Sequence, residues 1–419
     1  MTEFNAVTAH PEAPPAAGTS RAGLRSDVFD RLVGQHEPAE VLRRAAEAAH
    51  RLVDGEPVAP GELAHAWLFT GPAGSGRSVA ARAFAAALQC PYGGCGVCQA
   101  CHTTLAGTHA DVRIVVPDGL TIGVDAMREL VVKASTAPLS GRWMVVLVED
   151  ADRLTEAASN ALLKAVEEPP ERTVFLLCAP SVHPDDVSVT IRSRCRMVAL
   201  RTPSVEAVAE VLISRDGVQP ATARWAAAVS QGHVGRARRL ATDEHAQARR
   251  RAVLAVPRSL TAVAACFDAA GSLITAAEQE AAEATTDLAV EETAELKQAL
   301  GAGGTGKGSA AATRGTAAQL KDLERRQRSR ATRAQRDALD RALVDLAAFY
   351  RDVLTVRLGA DVPLVHADVA DLIELAASRW TPESALRRIE AVLACREAID
   401  LNVKPRIAVE AMMLTLHNG

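Results

Sequence analysis

Apolar residues gather into short runs along the first half of the chain: HAWLFT (65–70), DVRIVV (111–116), WMVVLVED (143–150) and TVFLLCAP (173–180). Each run is too short for a helix and is rich in β-branched or aromatic residues, so each predicts a buried strand. A last strand is expected at MVAL (197–200). Between the runs the apolar positions recur at helical spacing, over about 38–53 after the break at Gly34, over 124–135, and over 155–168, where Pro169 and Pro170 stop the pattern. Strands that alternate with helices predict a parallel sheet covered on both faces. Beyond about Arg201 only helical spacing remains.

Two segments lack such periodicity. Residues 1–25, rich in Ala, Pro, Thr and Ser, read as a disordered leader without the basic and apolar regions of a signal peptide. Residues from about 282 to 331 combine the low-complexity GAGGTGKGSAAATRGTAAQ with the basic ERRQRSRATRAQR, and read as a flexible insertion between helices. Gly301, Gly306 and Lys307 there imitate a phosphate-loop motif, but Gly308 replaces the hydroxyl residue and no apolar strand leads in. That match is rejected as a nucleotide site.

With 419 residues the chain is long enough for several domains. Its 3% aromatic content and abundant alanine favour helices packed through small side chains. The net charge of -4 argues against a protein coated for non-specific nucleic-acid binding. No apolar run approaches the ~18 residues needed to span a bilayer. A soluble cytoplasmic protein, with no membrane partner, is the expectation.

The strand at 65–70 runs into GPAGSGRS, where Gly71, Gly76 and Ser78 obey the phosphate-loop pattern GxxxxGK[ST] and Arg77 replaces its lysine. Such a loop holds phosphate with successive backbone N–H groups and a helix N-terminus. Arginine's planar fork is bulkier than the compact ammonium that the motif uses, so Arg77 either holds phosphate with misplaced charge or fills the site itself. The chain carries six lysines against 41 arginines, so compositional drift is a further source of the substitution. The strand expected to supply Asp-Glu for Mg²⁺ and water ends instead in Glu149-Asp150. Two departures in one site predict that the chain does not hydrolyse ATP. Binding of ATP and Mg²⁺ without hydrolysis stays an alternative, through Gly71, Gly74, Gly76, Arg77, Ser78, Glu149 and Asp150.

Cys90, Cys95, Cys98 and Cys101 lie in CPYGGCGVCQAC, where glycines let the backbone fold around an ion. Four thiolates in a tight knuckle suit a structural Zn²⁺. An iron–sulfur cluster fits the spacing less well, and a haem attached through the CxxCH at 98–102 would leave two cysteines unused. Cys178, Cys195, Cys266 and Cys395 are scattered and read as small core residues.

Several longer matches carry a family. LVGQ (32–35), HAWLFTGP, the cysteine knuckle, AGTHADVRIV, ADRLTEAASNALLKAVEEPP and TIRSRCR together resemble the AAA+ clamp-loader family of bacterial DNA polymerase III, in its delta-prime branch. LNVKPRIAVEAMML (401–414) is similar to the helix that closes the family's collar. The resemblance implies an α/β RecA-like P-loop domain with an inserted zinc module over 26–201, an all-α lid over 202–244 and an all-α collar over 245–419. It implies a stator without working ATPase or polymerase chemistry, placed in a hetero-pentamer with tau/gamma-type motor subunits and a delta subunit. Such a complex loads the sliding clamp onto primer-template DNA at replication forks, which would put the chain on the nucleoid. Arg194 of the SRC motif would enter a neighbour's ATP site in trans, and Arg236 aligns with the lid arginine that senses phosphate in cis. The rival reading is an ATP-hydrolysing motor subunit.

Overall fold

The computed structural model describes residues 27–117, 121–299 and 309–419. The leader at 1–25 and the rejected glycine motif at 301–308 lie outside the described residues.

In the first half the elements run α1 (His36–Val53), β1 (Ala66–Thr70), α2 (Arg77–Gln89), α3 (Gln99–Ala106), β2 (Val112–Val115), α4 (Val124–Ala134), β3 (Met144–Val148), α5 (Glu156–Glu167), β4 (Thr173–Ala179), α6 (Val189–Arg192) and β5 (Arg196–Ala199). The five strands form one parallel sheet in the order β2-β3-β4-β1-β5, with Ala66 opposite Phe175 and Met144 opposite Thr173. The central strands are buried at every position, as sheets covered on both faces require. Period-two alternation sends Trp67, Phe69, Val145, Leu147, Val174 and Leu176 to one face and Leu68, Val146, Val148, Phe175 and Leu177 to the other. The first face is filled by α2, whose alanines let the helix lie close and whose Phe84 meets Trp67 edge-on at 5.0 Å. Thr155, Ser188 and Ser204 each accept a backbone N–H and set the starts of α5, α6 and the next helix.

All later elements among the described residues are helical. α7 (Val205–Ser214), α8 (Pro220–Val229) and α9 (Val234–Thr242) enclose a small core around Val208, Leu212, Ala226 and Leu240. α10 (Glu244–Ser259), α11 (Val263–Ala299), α12 (Ser309–Leu358), α13 (Ala370–Arg379), α14 (Pro382–Asp400) and α15 (Pro405–Asn418) share another, centred on Leu343, Phe349, Tyr350, Val392 and Met413. No described helix is long and apolar enough to cross a membrane.

One expectation is overturned. Residues described between 282 and 331 are not a flexible loop but continue α11 and α12 as long helices. Their alanines, glutamates, glutamines and arginines are good helix formers, and the two helices are tied by Arg330 to Glu292 (2.9 Å) and by Gln327 to the Ala289 carbonyl (2.9 Å). Polarity, read as a sign of disorder, here serves an ion-paired helix–helix contact.

Between the small helical core and the larger one lies a buried polar group. Arg250 grips Asp368 with two hydrogen bonds of 2.6 and 2.8 Å, reaches His366 at 2.9 Å, and lies 5.6 Å from the Trp225 ring centre. Burial works against ionisation of Asp368, but the Arg250 fork outweighs it and holds the carboxyl below its ordinary value. Burial and Arg250 together lower the His366 pKa, which keeps that ring neutral. Arg250→Ala strands both partners and is expected to cost about 3–5 kcal/mol, read as a lower urea midpoint. A depressed carboxyl and a depressed imidazole both favour the fold at neutral pH. Their contributions are lost as the pH falls through the histidine range and then the carboxylate range, and acid titration of the same midpoint checks this.

Candidate functional site

The carboxyl end of β1 delivers the loop Gly71–Ser78 to the start of α2. Gly74 and Gly76 have φ of 83° and 91°, backbone that glycine adopts without strain, and Gly76 directly precedes the helix. At Gly74 a side chain is also excluded sterically, because a Cβ would sit 2.8 Å from the Cβ of His233, which comes down onto the loop from the start of α9. Burial, reinforced by Arg236, lowers the His233 pKa. Its Nδ1 accepts the Arg236 backbone N–H at 3.2 Å. Gln35 ties this corner together, its amide oxygen accepting from Arg201 N (3.2 Å) and its amide nitrogen donating to the Arg201 carbonyl (2.5 Å) and to that of Ser75 (3.4 Å).

The charged groups at the sheet edge are already engaged. Arg77 donates to the carbonyl of Gly71, in its own loop, at 2.8 Å. Glu149, at the end of β3, accepts from Arg82 of α2 at 2.8 Å. Asp150 accepts from Arg333 of α12. So the cation and both carboxylates that the motif would offer to a nucleotide and its metal find partners within the chain. Arg82 and Arg333 were not singled out in the sequence, since their role depends on the distance folded away between them and β3. Asp152, also unflagged, has its carboxyl raised by burial next to Asp150.

Two predicted arginines remain. The nearly buried guanidinium of Arg236, three residues beyond His233 in α9, is taken by Asp345 of α12. Arg194 sits between α6 and β5, about two-fifths exposed, paired with Glu167 at 2.7 Å and donating to the Thr190 carbonyl at 3.0 Å.

The four cysteines do converge. Their sulfurs all lie within 4.8 Å of one another, with Cys90 Sγ 3.6 Å from Cys95 Sγ and 3.7 Å from Cys98 Sγ. Four sulfurs about 2.3 Å from a tetrahedral ion stand about 3.8 Å apart, so the cluster is pre-shaped for a metal ion. Gly93, Gly94 and Gly96 take left-handed φ to make the turn. Thiols of Cys101 and Cys98, with backbone N–H groups, donate to the Cys90 sulfur and hold it far below the ordinary thiol range. The Gly94 carbonyl accepts from Val28 N at 2.9 Å, which anchors the start of the described chain to the knuckle.

Comparison with known proteins adds names to this geometry. Residues 52–204 match a family model described as DNA polymerase III, delta subunit, and residues 333–418 match one described as DNA polymerase III, delta subunit, C terminal. DNA polymerase III subunit delta' of Pseudomonas aeruginosa is 42% identical over 167 residues, 38% of this chain and 50% of that protein. The Bacillus subtilis delta' subunit is 25% identical over 360 residues, covering 85% and 92%. The gamma/tau subunit of Mycobacterium bovis is 37% identical over 171 residues, 40% of this chain but only 27% of that protein. The match thus spans about a quarter of the gamma/tau relative and half of the Pseudomonas one. A solved gamma subunit-related protein of Thermotoga maritima covers 89% of this chain and 99% of its own at 14% identity and a TM-score of 0.40.

Elemental analysis of the purified chain is expected to find about one tightly held metal ion per molecule. Cys101→Ser should leave less than half of it and lower the thermal midpoint, because the knuckle is continuous with the sheet's first core.

Proposed function

This chain belongs to the DNA polymerase III delta-prime family, and from that premise we propose that it is the non-hydrolysing stator of a clamp loader. In this reading it works in a hetero-pentamer with tau/gamma-type motors and a delta subunit, and helps to place a sliding clamp on primer-template DNA in the cytoplasm. Its domains would be the P-loop unit over 26–201, the lid over 202–244 and the collar over 245–419. The observation that carries the reading is the internal pairing of the phosphate-loop face: Arg77 with Gly71, Glu149 with Arg82, Asp150 with Arg333. A metal ion and an attacking water need free carboxylates, and hydrolysis by this chain would first have to break ion pairs. The four-cysteine knuckle would hold Zn²⁺ in a structural role, since all four positions of a tetrahedral ion are taken by protein.

Arg194 would act in trans. It is half-exposed and held by Glu167 in a surface position, so it can exchange that carboxylate for the phosphates of a neighbouring subunit's ATP. A guanidinium placed there stabilises charge as the terminal phosphoryl group departs, and arginine fingers contribute about 10³–10⁵ in rate.

The test is a phosphate-release assay on the chain alone and on the reconstituted complex. The chain alone is expected to show no turnover above buffer. In the complex, Arg194→Ala should slow the one ATP site that it completes by about 10³-fold while leaving assembly intact. Brisk turnover by the isolated chain would instead make it a motor, and an unaffected complex would remove Arg194 from the neighbour's site.

A further inference from the structure

Between the phosphate-loop face and α12 lies a cavity of about 1150 Å³. Its described lining carries eight cationic and five acidic side chains, in a chain whose overall charge is negative. Most of the acids are answered: Asp150 by Arg333, Glu324 by Arg328 (3.2 Å), Asp340 by Arg396 (2.6 Å) and Asp400 by Arg153 (3.9 Å). The cationic excess faces the cavity from both sides, with Arg77 on the loop and Lys321 and Arg336 along α12.

Donors are left over as well. Nε and Nη1 of Arg336 and Nη1 of Arg333 are buried without a hydrogen-bond partner, while Arg336 uses only its remaining nitrogen, on Asn402 at 2.9 Å. Buried guanidinium donors are ordinarily met, and what meets several of them at once is an anion with many acceptor oxygens. The spacing points to a chain of anions. Lys321, Arg328 and Arg336 recur at seven and eight residues on one helix face, about 10–12 Å of rise per step, so a single carboxylate reaches one of them whereas linked phosphates extend toward the next.

We infer that this cavity binds an oligophosphate anion, free or as the tail of a nucleotide, through the arginines of α12 and without a divalent ion. Metal independence follows from the pairing of Asp150 with Arg333 and of Glu149 with Arg82, which leaves neither strand-end carboxylate to hold Mg²⁺. The volume suits a nucleotide-sized guest with water around it. The inference is separate from the stator reading, and its failure would leave that reading standing.

Calorimetric titration of the full chain with inorganic triphosphate in EDTA tests it, with ATP as a parallel arm. The expected result is binding of one triphosphate per chain that weakens with added salt, needs no Mg²⁺, and is at least tenfold weaker in Arg336→Ala. The double variant Lys321→Ala/Arg328→Ala alters only well-exposed side chains of α12 and should lose affinity with its circular dichroism unchanged. Arg406→Ala, outside the cavity, should bind normally. Equal affinity for triphosphate and ATP would assign the ligand as the free chain, and tighter ATP binding would assign it as a nucleotide tail. Silence toward both, binding that requires Mg²⁺, binding indifferent to the α12 variants, or affinity only for an oligonucleotide would each overturn it.

Discussion

A sheet made only of parallel strands forces every connection back across one face or the other, so all strand ends of one kind collect at a single edge. The phosphate loop after β1, Glu149 and Asp150 after β3, and the chain turn after β4 share that edge for this reason alone. Everything distinctive about the molecule is a response to what stands there. The start of α9 rests His233 on the loop, α12 sends Arg333 to Asp150, and α2 sends Arg82 to Glu149. An edge that in a working ATPase receives its positive charge from lysine and magnesium receives it here from arginines of the same polypeptide.

The same arginines join the parts of the chain. Arg236 binds the small helical bundle to α12 through Asp345, Arg250 of α10 holds Asp368 while lying over Trp225 of α8, and Arg239 and Arg341 both reach Glu280 of α11. Exposed ion pairs contribute little each, but these partners are largely withdrawn from solvent and are shared, so loss of one leaves others uncompensated. The bias toward arginine suits this use, because its fork engages two oxygens at once where an ammonium engages one.

Much of the sheet was legible because it rests on local pattern. Short, mostly apolar runs gave β1 through β4 within a residue or two, and Pro169-Pro170 marked the end of α5. The metal knuckle was legible too, since four cysteines in twelve residues need no long-range contact to meet. What could not be read was pairing at a distance. Nothing around Arg333 distinguishes it from its neighbouring arginines, and its partner Asp150 lies 183 positions away. The helices of 282–331 escaped notice because their stabilising face is polar, so the apolar rhythm on which helix reading depends is faint there.

α12 is 50 residues long, about 75 Å at 1.5 Å per residue. Its last third is built into the larger helical core through Leu343, Leu346 and Phe349, while Arg333, only a few turns earlier, touches the sheet edge. A rod clamped at one end and touching a fulcrum partway along is a lever. Any tilt of the larger helical core would therefore be felt first at Asp150, and would be magnified at the far tip of the helix.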